Sequence, residues 1–281
     1  MIARVFPRRT NATPTDDYAF IGEPPITLAQ DISEIHISVS FSWDLSEAER
    51  LKTLWSRIAP VKIGGPATGQ RGEDFVSGRY LRQGFTICSR GCPNRCWFCG
   101  VPDREGATVR ELPISPGWNL LDDNLLACSD EHIHKVFQML LKQKKQGHRI
   151  LLTGGLEAAR LRPWHIEWFK TLRPQRMYFA YDTPDDLPAL EEASRLFRDA
   201  GYGSKRILCC YGLIGYPGDT MLKAEARMQA ILALGFTPMA MLYRNASNTT
   251  TRDWRRFQNA WARPAAIYAK VRDMRYLKTE A

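Results

Sequence analysis

The chain has 281 residues, 44% hydrophobic and 25% charged, and its 39 Lys and Arg against 30 Asp and Glu give a formal net charge of +9. That length buries a full core and allows one large domain, or one with a small appendage. No stretch of roughly 18 or more apolar residues is present to span a membrane, and seven cysteines, an odd and sparse set, exclude a disulfide scaffold. With no signal-type apolar core and no need of disulfides, the expected compartment is the cytoplasm. The basic excess suits polyanion contact without requiring it. Much of it lies near the ends, at Arg4, Arg8 and Arg9 and then at Arg252, Arg255, Arg256, Arg263, Lys270, Arg272, Arg275 and Lys278.

A polar, Pro-containing lead-in precedes Glu34 to Trp43, where Ile35, Ile37, Val39 and Phe41 alternate with polar residues as in a strand with one buried face. Ser46 with Glu49 has capping-box spacing and opens a helix through Leu51, Leu54, Trp55 and Ile58. Val61 to Ile63 reads as a second strand, closed by Gly64 and Gly65. Residues 1–80 are therefore expected to form a small β-α-β unit. From Phe85 the pattern alternates, with strands predicted at 85–88, 149–153, 177–181, 207–214 and 238–243. Helices are predicted at 130–145, 165–173, 187–200, 219–234 and 253–270. Such alternation builds a parallel sheet with outer helices, here an α/β open partial barrel of about five or six units over residues 81–281. Sites in such folds gather at the carboxyl ends of the strands.

Cys92, Cys96 and Cys99 form a Cys-x3-Cys-x2-Cys triad on a tight loop after the first of these strands. Three thiolates so spaced can grip three irons of a [4Fe-4S] cube and leave the fourth open to a ligand. Cys88 makes a zinc site with four thiolates conceivable, but structural zinc favours paired Cys-x2-Cys arms, and a cysteine ending an apolar strand is commonly buried and inert. Further on, Gly154 and Gly155 follow the second strand with Glu157 close behind, a place where glycines admit a ligand to the backbone or simply make a turn. Tyr181 and Asp182 end the third strand, as ligand contacts or as the start of a capped turn. Gly212 to Thr220 reads Gly-Leu-Ile-Gly-Tyr-Pro-Gly-Asp-Thr. Cys209 and Cys210 put one sulfur on each face of a strand, either as core or with one aimed inward. Cys128, His132 and His134 do not make a metal set, because positions two apart on a helix share no face.

The cysteine loop, with Phe98 just before its last cysteine, resembles that of the radical S-adenosylmethionine (SAM) superfamily. Thr153 to Glu157 resembles that superfamily's Gly-Gly-Glu element, with Leu156 intervening. The stretch Gly212 to Thr220 resembles the Gly-x-Ile-x-Gly strand and Gly-Tyr-Pro-Gly-Glu-Thr turn of its methylthiotransferase and cobalamin-dependent branches, with Asp219 in place of Glu. The likeness covers roughly residues 84–245 in these motifs. It implies one cluster on Cys92, Cys96 and Cys99, with its open iron chelating SAM. It also implies SAM contacts from Phe98, Gly154, Gly155, Glu157, Asp182, Ile214, Gly215 and Met241, and catalytic roles for Cys210, Asp182 and Tyr181. A flavodoxin- or ferredoxin-type reductant is the implied partner. Residues 1–80 look like a cobalamin-domain remnant lacking the Asp-x-His-x-x-Gly ligand motif.

The overall layout is loosely similar to compact stand-alone members associated with phage DNA hypermodification. The expected function is therefore rearrangement or modification of a nucleobase, or of its amino-acid-like adduct, free or in DNA. The alternatives are the same chemistry on a peptide or small metabolite, and an iron-sulfur electron carrier without radical chemistry. Residues 252–264 interleave basic and aromatic residues, which suits a polyanion surface; Trp254, Phe257 and Trp261 equally have the spacing of a buried helix face.

Overall fold

The structure, a computed structural model, describes residues 1–28, 31–69, 73–202, 207–244, 250–263, 265–267 and 269–270. The chain divides into two compact units, Met1–Gly117 and Trp118–Ala281. The division falls after the cysteine loop, whereas the sequence reading set it near residue 80.

The first unit is richer than a β-α-β motif. Strands β1 (Ile2–Phe6), β2 (Ala19–Ile21), β3 (Glu34–Ser38) and β4 (Val61–Gly64) form a wholly parallel sheet in the order β2-β1-β3-β4, with α1 (Leu45–Trp55) between the last two in sequence. The lead-in expected to be irregular supplies β1, a central strand whose Ala3 and Val5 are fully buried. One-faced alternation was expected in β3, yet Ile35, His36 and Ile37 are all buried and the strand stops at Ser38. A central parallel strand is covered on both faces, so polar His36 is enclosed as well. Its Nδ1 meets the Tyr80 hydroxyl and its Nε2 lies 3.3 Å from Glu34 Oε2. Helix α1 buries Ala48, Leu51 and Trp55 on one stripe.

After β5 (Phe85–Thr86) the expected strand 85–88 gives way. Strands β6 (Ser89–Arg90) and β7 (Arg110–Glu111) pair antiparallel, and the cysteine loop with the short helix α2 (Val101–Glu105) is the excursion between them.

The second unit follows the predicted alternation. Strand β8 (Asn119–Leu120), which the sequence reading missed, precedes α3 (Asp130–Lys145), β9 (Leu151–Gly155), α4 (Pro163–Leu172), β10 (Arg176–Ala180), α5 (Leu187–Asp199), β11 (Leu208–Ile214), α6 (Met221–Ala233), β12 (Thr237–Leu242) and α7 (Arg252–Ala262). Strands β8 to β12 lie side by side in chain order and all parallel. The sheet is open and does not close into a barrel. The helix predicted at 253–270 ends at Ala262, and Arg272, Arg275 and Lys278, beyond the predicted helix, lie outside the described residues.

One face of this sheet carries the core. Phe179 of β10 meets Phe197 of α5 with ring centroids 5.7 Å apart, and Phe197 in turn stacks on Phe169 of α4 at 6.2 Å. Full burial of each aromatic side chain there stabilises the unit by about 2–3 kcal/mol. Among the described residues no helix is long and apolar enough to cross a membrane.

Candidate functional site

In the first unit the cysteine loop is tied at its base. Gly91 has φ +91°, and a Cβ there would collide with the Thr108 carbonyl, so only glycine lets the chain turn out of β6 at this point. Cys92 N donates to Gly106 O at 3.4 Å, and Cys99 N closes a turn onto Cys96 O at 3.0 Å. Arg110 of β7 reaches back to the Glu105 carboxylate at 3.0 Å. Between these ties Cys92 and Cys99 are half-buried and Cys96 is exposed. Phe98 packs edge-on against Trp97, which is itself exposed. Cys88 is fully buried, its carbonyl accepting from Leu112 N, as a structural cysteine should be.

Cys92, Cys96 and Cys99 give this loop three thiols, the donor type that iron-sulfur clusters take. As the side chains are arranged, among the described residues no group of three or more His, Cys, Asp or Glu converges to hold a metal ion. His132 and His134 diverge as expected: His132 is buried, and His134 is exposed, taking a hydrogen bond from Trp168 Nε1 at 3.0 Å.

In the second unit the remaining predicted residues, Cys210 near the start of β11 excepted, line up along the carboxyl ends of β9 to β12. At β9, Gly154 lies so close to the segment after β8 that a Cβ would overlap the backbone of Asp122, and one on Gly155 would lie 3.0 Å from Asp123 O. The glycines are needed for this backbone packing, sealed by Gly155 N donating to Asp122 O at 3.2 Å. The approach they permit is thus to the chain's own backbone. Glu157 is engaged too, its Oε2 accepting from Asn124 Nδ2 and Arg160 Nε, both at 2.6 Å.

Asp182, just past β10, holds the most informative chemistry. Its Oδ1 accepts from Leu213 N of β11 at 2.9 Å, and its own N–H donates to Asp186 Oδ2 at 2.9 Å. Burial, reinforced by the nearby Asp186 charge, pushes its carboxyl up from 3.8 to about 7. A carboxyl poised there can give or take a proton at neutral pH. Asp186 also accepts from Thr183 N at 2.8 Å, so one carboxylate both caps the turn and shapes the titration of its neighbour. The sequence reading named Asp182 and missed Asp186, whose signal was the Thr-Pro-Asp-Asp capping pattern. Tyr181 is buried, and burial raises its hydroxyl pKa.

No protein-family model matches the chain, and no curated protein matches it either. The residues themselves therefore carry the functional argument.

Two predicted residues, Cys210 and Ile214, point away from the open face of the sheet. Successive residues of a strand alternate faces. A Cβ on Gly212 would lie 3.2 Å from Ile231 Cδ1 of α6, so Cys210, two residues earlier, shares the helix-covered face. Cys210, expected to serve a substrate, is thus buried on that face. Its thiol, fully buried, is pushed well above its usual pKa by burial and then by Asp182 and Asp186. Cys209 occupies the opposite face with Tyr178 and Tyr211, whose rings stack at 4.9 Å. Ile214 is fully buried on the Cys210 side, and Gly215 is covered by Leu242 and by the Trp254 indole. Met241 alternates onto the open face and is 47% exposed.

The turn after β11 is held by a clamp. Thr220 caps the following helix, its Oγ1 accepting from Lys223 N at 3.2 Å. Asp219 Oδ2 accepts from Gly215 N and Arg227 Nη2, each at 2.9 Å, and both charged side chains are buried.

Proposed function

We propose that the protein is a radical SAM enzyme, with Cys92, Cys96 and Cys99 holding one [4Fe-4S] cluster and the strand-end elements of the second sheet serving SAM and substrate. The observation that carries the reading is that the three-cysteine loop is accompanied by elements at Gly154 to Glu157, Tyr181 to Asp182 and Ile214 to Asp219. Each of these follows a consecutive parallel strand at the end where such folds build their sites. The chemistry supplied by that cofactor pair is reductive cleavage of SAM to methionine and a 5′-deoxyadenosyl radical, with the electron drawn from a flavodoxin- or ferredoxin-type reductant. The chain's own contribution is to hold a proton on Asp182 near neutral pH and to fix the turn after β11 through Asp219 and Arg227.

The proposed substrate is a nucleobase or its amino-acid-like adduct, free or in DNA. Support comes from the net charge of +9 and from exposed Arg252, Arg255, Arg256 and Arg263. The aromatic half of that argument is weakened, since Trp261 is buried and donates to Glu225 Oε2 at 2.7 Å. This packing favours the alternative in which the same chemistry acts on a peptide or small metabolite. The deciding experiment reconstitutes the protein anaerobically and adds dithionite and SAM. The expected result is about four irons per chain and formation of 5′-deoxyadenosine. An intact cluster that produces none leaves an electron carrier and overturns the enzyme reading.

A further inference from the structure

The first unit contains a cavity of about 390 Å³, within the size range of small-ligand sites. It opens at the carboxyl ends of β1, β3 and β4, where Phe6, Ser38 and Gly65 line it. In the order β2-β1-β3-β4, the chain moves outward from β1 on one side and from β3 on the other. The boundary between β1 and β3 is therefore a topological switch point, where loops leaving neighbouring strands part and open a crevice. Gly65 keeps the floor of the crevice narrow, because a Cβ there would press on the Val39 backbone at 2.8 Å.

The walls are of two kinds. Phe75 and Tyr80, from the segment after β4, add aromatic surface to Phe6. Tyr80 is fixed by its hydroxyl contact with buried His36. Arg90 of β6, Arg104 of α2 and Arg110 of β7 line the same cavity with Glu105, to which Arg110 is paired at 3.0 Å. Guanidinium groups favour phosphate, which accepts two parallel N–H donors from each planar fork. Aromatic faces favour a flat ring, by stacking that is tolerant of its identity.

We infer that this cavity binds a nucleoside monophosphate, with the phosphate at the arginines and the base against the aromatic residues. The site lies wholly in the first unit and uses none of the residues assigned to the cluster or to SAM, although Glu105 and Arg110 also tie the base of the cysteine loop.

The test is calorimetric titration of the purified full chain at low salt with AMP, GMP, CMP and dTMP, alongside inorganic phosphate and adenosine. At least one monophosphate is expected to bind saturably, one per chain. Its affinity should fall as salt rises, and adenosine should bind at least about tenfold more weakly than AMP. Arg104→Gln should weaken binding by a similar factor. Val76→Trp, at an exposed lining position, should block entry while leaving the melting temperature unchanged, so it decides the matter even if the arginine variant is unstable. The inference is overturned if none of the four monophosphates binds at millimolar concentration, if adenosine binds as well as AMP, or if Val76→Trp binds as the unmodified protein does.

Discussion

Asp182 shows how a single residue's surroundings set its chemistry. Its carboxyl is held at about 7 by burial and by Asp186, against an ordinary value of 3.8. Between those values the folded chain keeps a proton that the unfolded chain has released, so this group's contribution to stability falls as pH rises from about 4 to about 7 and is flat above. The cost amounts to a few kcal/mol. Asp182→Asn keeps an acceptor for Leu213 N and removes the charge. It should therefore raise the melting temperature by several degrees at pH 8 and leave it unchanged near pH 4, as followed by calorimetry across pH. Equal shifts at both pH values would show that the carboxyl is not held protonated. The cysteines divide at the same scale. Cys88 is enclosed and the other three of the run are reachable from solvent. Cys92→Ala, Cys96→Ala and Cys99→Ala should each abolish iron retention after reconstitution, whereas Cys88→Ala should retain iron. The opposite pattern would refute the ligand assignment.

The turn after β11 and helix α7 show elements whose composition invites one use and whose packing selects another. Asp219 and Arg227 face each other at 2.9 Å with almost no exposure, and removing one partner leaves the other charged and buried. Arg227→Met should thus destabilise the protein by about 3–5 kcal/mol, read by urea denaturation. A loss under about 1 kcal/mol would mean the pair is solvated after all. In α7, Trp254, Phe257, Gln258 and Trp261 line the inward stripe, with Gln258 Nε2 donating to Ala240 O of β12 at 3.3 Å. Trp261→Ala should cost about 3–5 kcal/mol. Arg255→Glu with Arg256→Glu, on the exposed side, should change stability by less than about 1 kcal/mol. A stability loss from the arginine pair matching that from Trp261 would contradict this division of the helix. These outcomes also separate a helix that is core from one that meets nucleic acid.

At the scale of the molecule the net charge of +9 makes a prediction independent of any single contact. If the chain acts on DNA, its affinity for a duplex of arbitrary sequence should fall steeply between 50 and 200 mM salt as counterions are displaced, by about 10³-fold or more where six or more phosphates are neutralised. Filter binding across a salt series checks this, with the Arg255→Glu and Arg256→Glu double variant expected to have a shallower slope and unaltered 5′-deoxyadenosine production. Absence of affinity at low salt would turn the substrate reading to peptides or small metabolites.

Much of the second unit was legible in the residues alone. Helix periodicity and strand-sized apolar runs are local, and they placed α3 to α6, β9 to β12 and the start of α7 within a few residues. The cysteine spacing, the capping pattern before α5 and the Gly-rich ends of β9 and β11 were likewise visible without a fold. What stayed hidden depended on partners distant in sequence. Strand β1, interrupted by Arg4, has no clear local strand signature and is a strand because β2 and β3 flank it. The face of Cys210 is set by the register of β11 under α6, and the pKa of Asp182 by burial that no local pattern records. The packing of Gly154 against Asp122, the Asp219–Arg227 clamp and the arginine-lined cavity join residues separated by loops of different lengths. Sequence determined which chemical groups the chain carries and which short segments are regular; only tertiary structure decided which of those groups meet and which are withdrawn from water, because contact and desolvation depend on the whole packed chain.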